Sequence, residues 1–181
     1  FPKQFGSVPI EDFYAAANVV KPSLIRVEAD EVTYNLHPLI RFEVELKMMN
    51  GEVSMSEVPA LWNEKYEQYL GIDVPNDADG CMQDIHWSMG IQGYFPTYTL
   101  GNLISAQLWN TIEKEMPNVW DQIEAGQYGG LRGWLNEKVH RPGKMYRSPE
   151  MLQHLTGEGL NANYFIDYLK AKFGPIYGIQ L

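Results

Sequence analysis

A chain of 181 residues with 45% hydrophobic and 20% charged side chains has the make-up of one globular domain, able to bury a core of its own. Its 14 basic against 23 acidic residues, a formal net charge of −9, argue against nucleic-acid binding and against docking on anionic membranes. The single cysteine, Cys81, allows no disulfide within the chain, and no apolar run reaches the length of a membrane span, so the expected setting is the reducing cytoplasm.

In chain order, Phe1–Val8 reads as irregular and Pro9 to about Val20 as a short helix, stopped by Lys21-Pro22. The next helical pattern starts near Leu24 or Ala29 and runs to Met49, with a kink expected at Pro38 and a stop at Asn50-Gly51. Val58–Leu70 is a helix closed by Gly71, and Gly71–Gly80 is a loop. Cys81–Gly90 reads as a helical turn or short helix, and Gly93–Pro96 as a turn. A long buried helix is expected from about Thr97 to Glu115. Shorter helices follow at Asn118–Glu124, Leu131–Val139, Pro149–Leu155 and Asn163–Phe173. Ser148-Pro149-Glu150 offers a cap, a first-turn proline and a first-turn acid. Alternating strand patterns are nearly absent, so the fold class is all-α, a single helical domain over 1–181.

Between Ile85 and Ile112 there is no formally charged side chain, which predicts an interior segment. Polar groups within it, His86, Tyr94 and Tyr98 among them, would then need partners, and converging polar groups in apolar surroundings are what a binding site is made of. Upstream, placing Arg26 to Arg41 on one helix at about 100° per residue brings Arg26, Asp30, Tyr34, His37 and Arg41 within about 40° of one line. Such a stripe faces either a water-filled cleft or open solvent.

Three segments carry a resemblance. GCMQDIHW (80–87), GYFPTYTLGN (93–102) and IRVEADEVTYNLH (25–37) resemble, in order and spacing, late motifs of the carboxypeptidase Taq family, and the closing LNANYFIDYLKAKFGPIYGI (160–179) extends the likeness. The resemblance implies a mostly helical zinc metallocarboxypeptidase of the HExxH type, cytoplasmic and commonly a homodimer, that releases C-terminal residues from peptides. It covers only the C-terminal part of such a chain. None of the four histidines, His37, His86, His140 and His154, belongs to an HExxH, so the zinc ligands and the general base are expected on a missing N-terminal part. The chain alone is expected to bind no catalytic zinc, to show no peptidase activity, and to expose a large apolar face where the rest belongs.

On that resemblance Arg26 is the candidate grip on a substrate carboxylate, because guanidinium offers a two-pronged donor that matches two coplanar oxygens. Asp30 and Glu31 are candidates to orient a zinc-bound histidine of the missing part through its second ring nitrogen. His86, Tyr98 and Tyr94 resemble the transition-state-binding histidine and tyrosines of related peptidases, with Tyr98 as oxyanion donor and His86 as substrate-carbonyl donor. Each has a structural alternative: an ion pair of Arg26 with Asp30 or Glu31, a helix-start acid, or tethered core aromatics. A different class of function also stays open, a non-catalytic helical binding or scaffold module. Cys81, Asp84 and His86 lie too close in sequence for a nucleophile triad. Asp73, Asp77 and Asp79 lack the glutamate of a calcium loop, and read as a solvated acidic turn. The basic stretch around His140 reads as surface, the lone His154 as packed or solvated on a short amphipathic helix, and Trp62, Trp109, Trp120 and Trp134 as core.

Overall fold

The apolar positions of Val58–Leu70 recur at one helical face, and that face makes the first core. The structure, a computed structural model, describes residues 1–180. Its described residues form nine α-helices joined by turns, with no strand, so the chain is all-α. It divides into two compact units, Phe1–Thr99 and the residues from Leu100 onward, where the sequence suggested one domain.

In the first unit, α1 (Pro2–Phe5) and α2 (Ile10–Ala17) are short and bury nothing. Phe5 meets Phe1 and Phe13 edge-on, which gives the expected irregular opening a small aromatic cluster of its own. The core lies between α3 (Leu36–Met49) and α4 (Val58–Leu70). Ile40 and Val44, one turn apart, pack with Val58, Leu61, Trp62, Tyr66 and Leu70. Completing this burial is worth roughly 1.5–3 kcal/mol per large apolar side chain. α4 begins and ends where the sequence placed it, stopping at Gly71 with φ +64°.

The long kinked helix expected from Leu24 or Ala29 to Met49 does not form. Arg26–Glu28 is a single 3-10 turn, residues 31–35 are turns, and α3 starts at Leu36. Asp30 is the cause. Its Oδ1 accepts the N–H of Val32 and Thr33, and its Oδ2 accepts the Thr33 hydroxyl and the Lys21 N–H. This local capping outcompetes helical bonding. Pro38 then falls in the first turn of α3, where a missing N–H has no cost, and it starts the helix instead of kinking it.

Segment 81–90 is a run of turns with no helix. α5 (Pro96–Glu115) carries the boundary between the units. The uncharged run that reads as interior is largely surface: Ile85 is 67% and Met89 62% exposed, and Ile91, Tyr94 and Leu100 are exposed too. With Val27, Met82 and Met49 also exposed, the first unit leaves many large apolar side chains in solvent. α5, expected to be buried, hides only Gln107 and Ile112.

In the second unit, α6 (Val119–Glu124), α7 (Gly129–Leu135), α8 (Ser148–Thr156) and α9 (Asn163–Tyr177) follow. Ile112, Val119 and Trp134 form its core, with Leu108, Trp109 and Met116 against them. α7 runs into a π turn over Asn136–His140 in place of a longer α-helix. Trp120 is exposed and not core, its indole donating to Glu113. α8 starts one residue earlier than expected, with the Arg147 N–H donating to the Glu150 carboxylate.

Candidate active site

Segment 83–98 and the first turns around α3 meet on the ring of Phe95, which is 1% exposed. The His86 ring lies 4.3 Å from it, centroid to centroid, and Trp87 5.8 Å. Two guanidinium groups also lie over it, Arg26 at 5.9 Å and Arg41 at 5.5 Å. Arg26 sits closer still to the Tyr98 ring, at 4.8 Å. His86 Nε2 and the Tyr98 hydroxyl are hydrogen-bonded at 3.0 Å, and the Tyr94 ring stands 5.6 Å from His86 and 5.3 Å from Tyr98. Arg26, His86, Tyr94 and Tyr98 are therefore neighbours.

Asp84 holds the two arginines. Its Oδ1 accepts from Arg26 Nε at 3.0 Å and Nη2 at 2.7 Å, and its Oδ2 accepts from Arg41 Nε at 2.6 Å. Arg26 Nη1 donates to the Tyr34 hydroxyl at 3.1 Å, which leaves one N–H on each of Nη1 and Nη2 without a partner among the described residues. Two cations on one carboxylate leave a net positive charge in a nearly dry setting. Burial works against the charge on Asp84, but the hydrogen bonds and charges of Arg26 and Arg41 outweigh it and hold its carboxyl below the usual range. Burial likewise opposes the charge of Arg26, and Asp84 and Tyr34 more than compensate, raising its pKa.

Gln83, next to Asp84, locks this pair to the core. Its Oε1 accepts from Arg41 Nη2 at 2.7 Å and from the Arg26 backbone N–H at 2.9 Å, while its Nε2 donates to the carbonyls of Asp79 and Leu24. Arg41 also donates to the His37 carbonyl at 3.0 Å and stacks over Trp62 at 4.6 Å. His37 is wholly buried. Its Nδ1 meets the Tyr66 hydroxyl at 3.1 Å, and its Nε2 has no hydrogen-bond partner among the described residues. Burial first, then the charges of Arg41 and Arg26, pull its pKa down to about 4.

His86 Nδ1 is buried without a hydrogen bond, 4.0 Å from Asp84 Oδ1. Behind the site, Glu45 accepts from Trp87 Nε1 at 2.9 Å and from the Gly93 N–H.

Of the stripe inferred from sequence, Arg26, Tyr34, His37 and Arg41 do meet, through a 3-10 turn, a turn and a helix start in place of one continuous helix. Asp30 does not join them, because four local donors take up its acceptor capacity. Glu31 is exposed on the same turn. The ion partner of Arg26 is Asp84. Sequence reasoning had Arg41 on the stripe and weighed Asp84 only for a nucleophile triad, and it passed over Gln83 and Glu45. A signal for Glu45 existed: it lies four residues after Arg41, as Arg41 does after His37, and continues the stripe past Pro38.

Comparison with known proteins places the chain. It matches the description of the carboxypeptidase Taq (M32) metallopeptidases over residues 1–173. Carboxypeptidase 1 of Bacillus subtilis is 45% identical over 97% of this chain, and thermostable carboxypeptidase 1 of Thermus thermophilus is 44% identical over 96%. Among solved structures, the M32 carboxypeptidase of Deinococcus radiodurans superposes with a TM-score of 0.94 at 40% identity, covering 99% of this chain and 36% of that one. Metallocarboxypeptidase 1 of Trypanosoma cruzi superposes at 0.87 with 38% identity, covering 95% of this chain and 36% of its own. The chain spans about a third of the length of these relatives, 35% and 34% of the two bacterial enzymes. Over that third, in sequence and in fold, it belongs to the carboxypeptidase Taq (M32) metallopeptidase family.

Proposed function

We propose that this chain is the C-terminal, substrate-facing part of a longer metallocarboxypeptidase that removes single residues from the C-termini of peptides. The observation that carries the reading is the meeting of Arg26, His86 and Tyr98 around Phe95, one cation beside a hydrogen-bonded His–Tyr pair within a single cluster. A peptide terminus differs from a mid-chain amide by one negative charge. Arg26, inside a cluster with surplus positive charge and with N–H groups to spare, is the group to read that difference. The Tyr98–His86 pair then presents the proton that its shared hydrogen bond leaves free to the carbonyl being attacked, where negative charge builds up as the nucleophile adds.

The family's metal, which we take to be zinc, does not fit the residues of this chain. Among the described residues no three His, Cys, Asp or Glu side chains gather as ligands. Asp84 is committed to two arginines and His86 to Tyr98. The metal ligands belong to the remaining two-thirds of such an enzyme. A cytoplasmic setting and a homodimer are part of the same proposal, supported by the lone cysteine and by the exposed apolar surface of the first unit. Asp30, which also caps its own turn, and Glu31 are the acids we assign to orienting a metal-bound histidine of the remaining part.

One observation favours a second reading. Arg26 is only 7% exposed and already ion-paired to Asp84, as it would be in a non-catalytic helical module. The two readings separate in one experiment on the longer gene product that contains this chain. Hydrolysis of a peptide with a free C-terminus is compared with that of its C-terminal amide, for wild type and Arg26→Met. The enzyme reading expects strong preference for the free acid and loss of that preference, through a raised KM, in the variant. Equal discrimination by both proteins would leave Arg26 as a structural cation.

A further inference from the structure

Glu45 is a carboxylate inside the first unit, 6% exposed, and both its partners are neutral N–H groups. Its Oε2 accepts from the Trp87 indole at 2.9 Å, and its Oε1 accepts from the backbone N–H of Gly93. These donors close the two ends of the 87–93 loop that joins the site residues: Trp87 follows His86, and Gly93 precedes Tyr94. Between them the loop closes on itself, with the Ile91 N–H on the His86 carbonyl at 2.9 Å and the Gly90 N–H on the Trp87 carbonyl at 3.0 Å. Gly93 sits at φ +77°, a conformation that a side chain would strain. One helical turn before Glu45, Arg41 holds Asp84, two residues ahead of His86. α3 thus grips the chain on both sides of His86, by a cation upstream and an anion downstream.

We infer that Glu45 is a positioning residue. It fixes both ends of the 87–93 loop, and so sets where the donors of His86, Tyr94 and Tyr98 stand, without itself touching substrate. A carboxylate suits the task because it is acceptor-only at both oxygens, and the two bonds it receives are both donated to it. Glutamine cannot replace it: its amide oxygen serves one N–H, and its NH2 group confronts the other. The inference rests on the donor roles proposed above for His86 and Tyr98.

The test uses the longer gene product for kinetics and this chain for spectroscopy. Glu45→Gln is expected to keep the helical circular-dichroism spectrum, to shift the His86 ring and Trp87 indole resonances in 15N-resolved NMR, and to lower kcat by about 10- to 100-fold, as small misplacements of catalytic groups do. KM should change little, because the donors act in the transition state. Trp87→Phe removes one of the two donors and should lower kcat less. The double variant should lose less than the sum of the two, since both changes release the same loop end. Glu43→Gln, on the outer pair with Lys65 and Tyr69, is the control expected to match wild type. His86→Gln separates the two levels of the argument. If it loses activity while folded Glu45→Gln keeps wild-type kcat and an unmoved His86 signal, the positioning role is overturned and the donor reading stands. If His86→Gln also keeps full kcat, both fall. Should Glu45→Gln fail to fold, Trp87→Phe decides: a wild-type kcat and unmoved His86 resonance in that variant overturn the inference.

Discussion

Arg26 donates twice to a single oxygen of Asp84, Nε at 3.0 Å and Nη2 at 2.7 Å, across 58 residues of sequence. That contact ties the 3-10 turn to the loop after α4, and Arg41 completes it on the other oxygen. Removing the shared anion leaves two cations facing each other with little water to screen them. Asp84→Asn is expected to destabilise the first unit by about 3–5 kcal/mol, the usual cost of breaking a buried pair from one side. Urea denaturation followed by circular dichroism checks this. A loss under about 1 kcal/mol would mean that water already solvates the pair as it does at a surface.

His37 makes stability fall in mild acid. Its pKa in the folded chain is about 4 against an ordinary 6.5, so between those values the unfolded chain binds a proton that the folded chain refuses. Above pH 6.5 the ring is neutral in both states and contributes no slope. On lowering the pH from 6.5 to about 4, stability should drop by about 3 kcal/mol from this residue. Asp84 adds its own loss only lower, as the pH falls below the ordinary carboxylate value of 3.8 toward its depressed folded pKa. The check is the urea midpoint measured from pH 7 to pH 4 for wild type and His37→Gln. The variant is expected to be less stable at pH 7 and to show a shallower slope over this window.

Local signals read well from the sequence. α4 came out within a residue because its apolar period and its closing Gly71 both act within a few residues. The start of α3 did not, because Asp30 spends its side chain on neighbouring N–H groups and a helical pattern says nothing about that competition. In 81–90 a helical turn formed, with the Met89 N–H on the Ile85 carbonyl at 3.0 Å, but it did not extend into a helix, for a tertiary reason. Gln83 and Asp84 give their side chains to Leu24, Arg26 and Arg41, and that anchoring holds the segment out of a helix. In the site, His86 and the two tyrosines were accessible through the family's motifs. Asp84 as the partner of both arginines was not, since no local pattern links residues 26, 41 and 84. The uncharged run 85–112 misled because lack of charge marks apolar surface as well as interior.

Gln107 does for the second unit what Gln83 does for the first. It is 1% exposed on α5, its Nε2 donates to Thr156 Oγ1 at 3.0 Å and the Gly159 carbonyl at 2.9 Å, and its Oε1 accepts the Asn161 N–H at 3.0 Å. Gln107→Leu fills the space but leaves those groups unpaired. A loss of about 1–3 kcal/mol is expected. Amide hydrogen exchange should show the deprotection at Asn161 and at the end of α8, while α3 and α4 stay protected. Uniform deprotection across the chain would mean that the second unit has no stability of its own to lose.

Tyr98 carries the sharpest kinetic prediction. Its hydroxyl holds His86 Nε2 at 3.0 Å while its ring lies under the Arg26 guanidinium at 4.8 Å. Tyr98→Phe keeps the ring, and with it the seat of Arg26, and removes only the hydroxyl. In the longer gene product, kcat should therefore fall by about 10²–10³-fold, the cost of one lost oxyanion donor, with KM nearly unchanged. His86→Gln should lower kcat as well. The double variant should fall short of the product of the two losses, because the residues are hydrogen-bonded to each other and act as a unit. Steady-state kinetics on one peptide with all four proteins reads this directly. Losses that multiply in full would assign the two groups separate tasks, and a Tyr98→Phe enzyme with wild-type kcat would remove the hydroxyl from the chemistry and leave Tyr98 as the aromatic seat of Arg26.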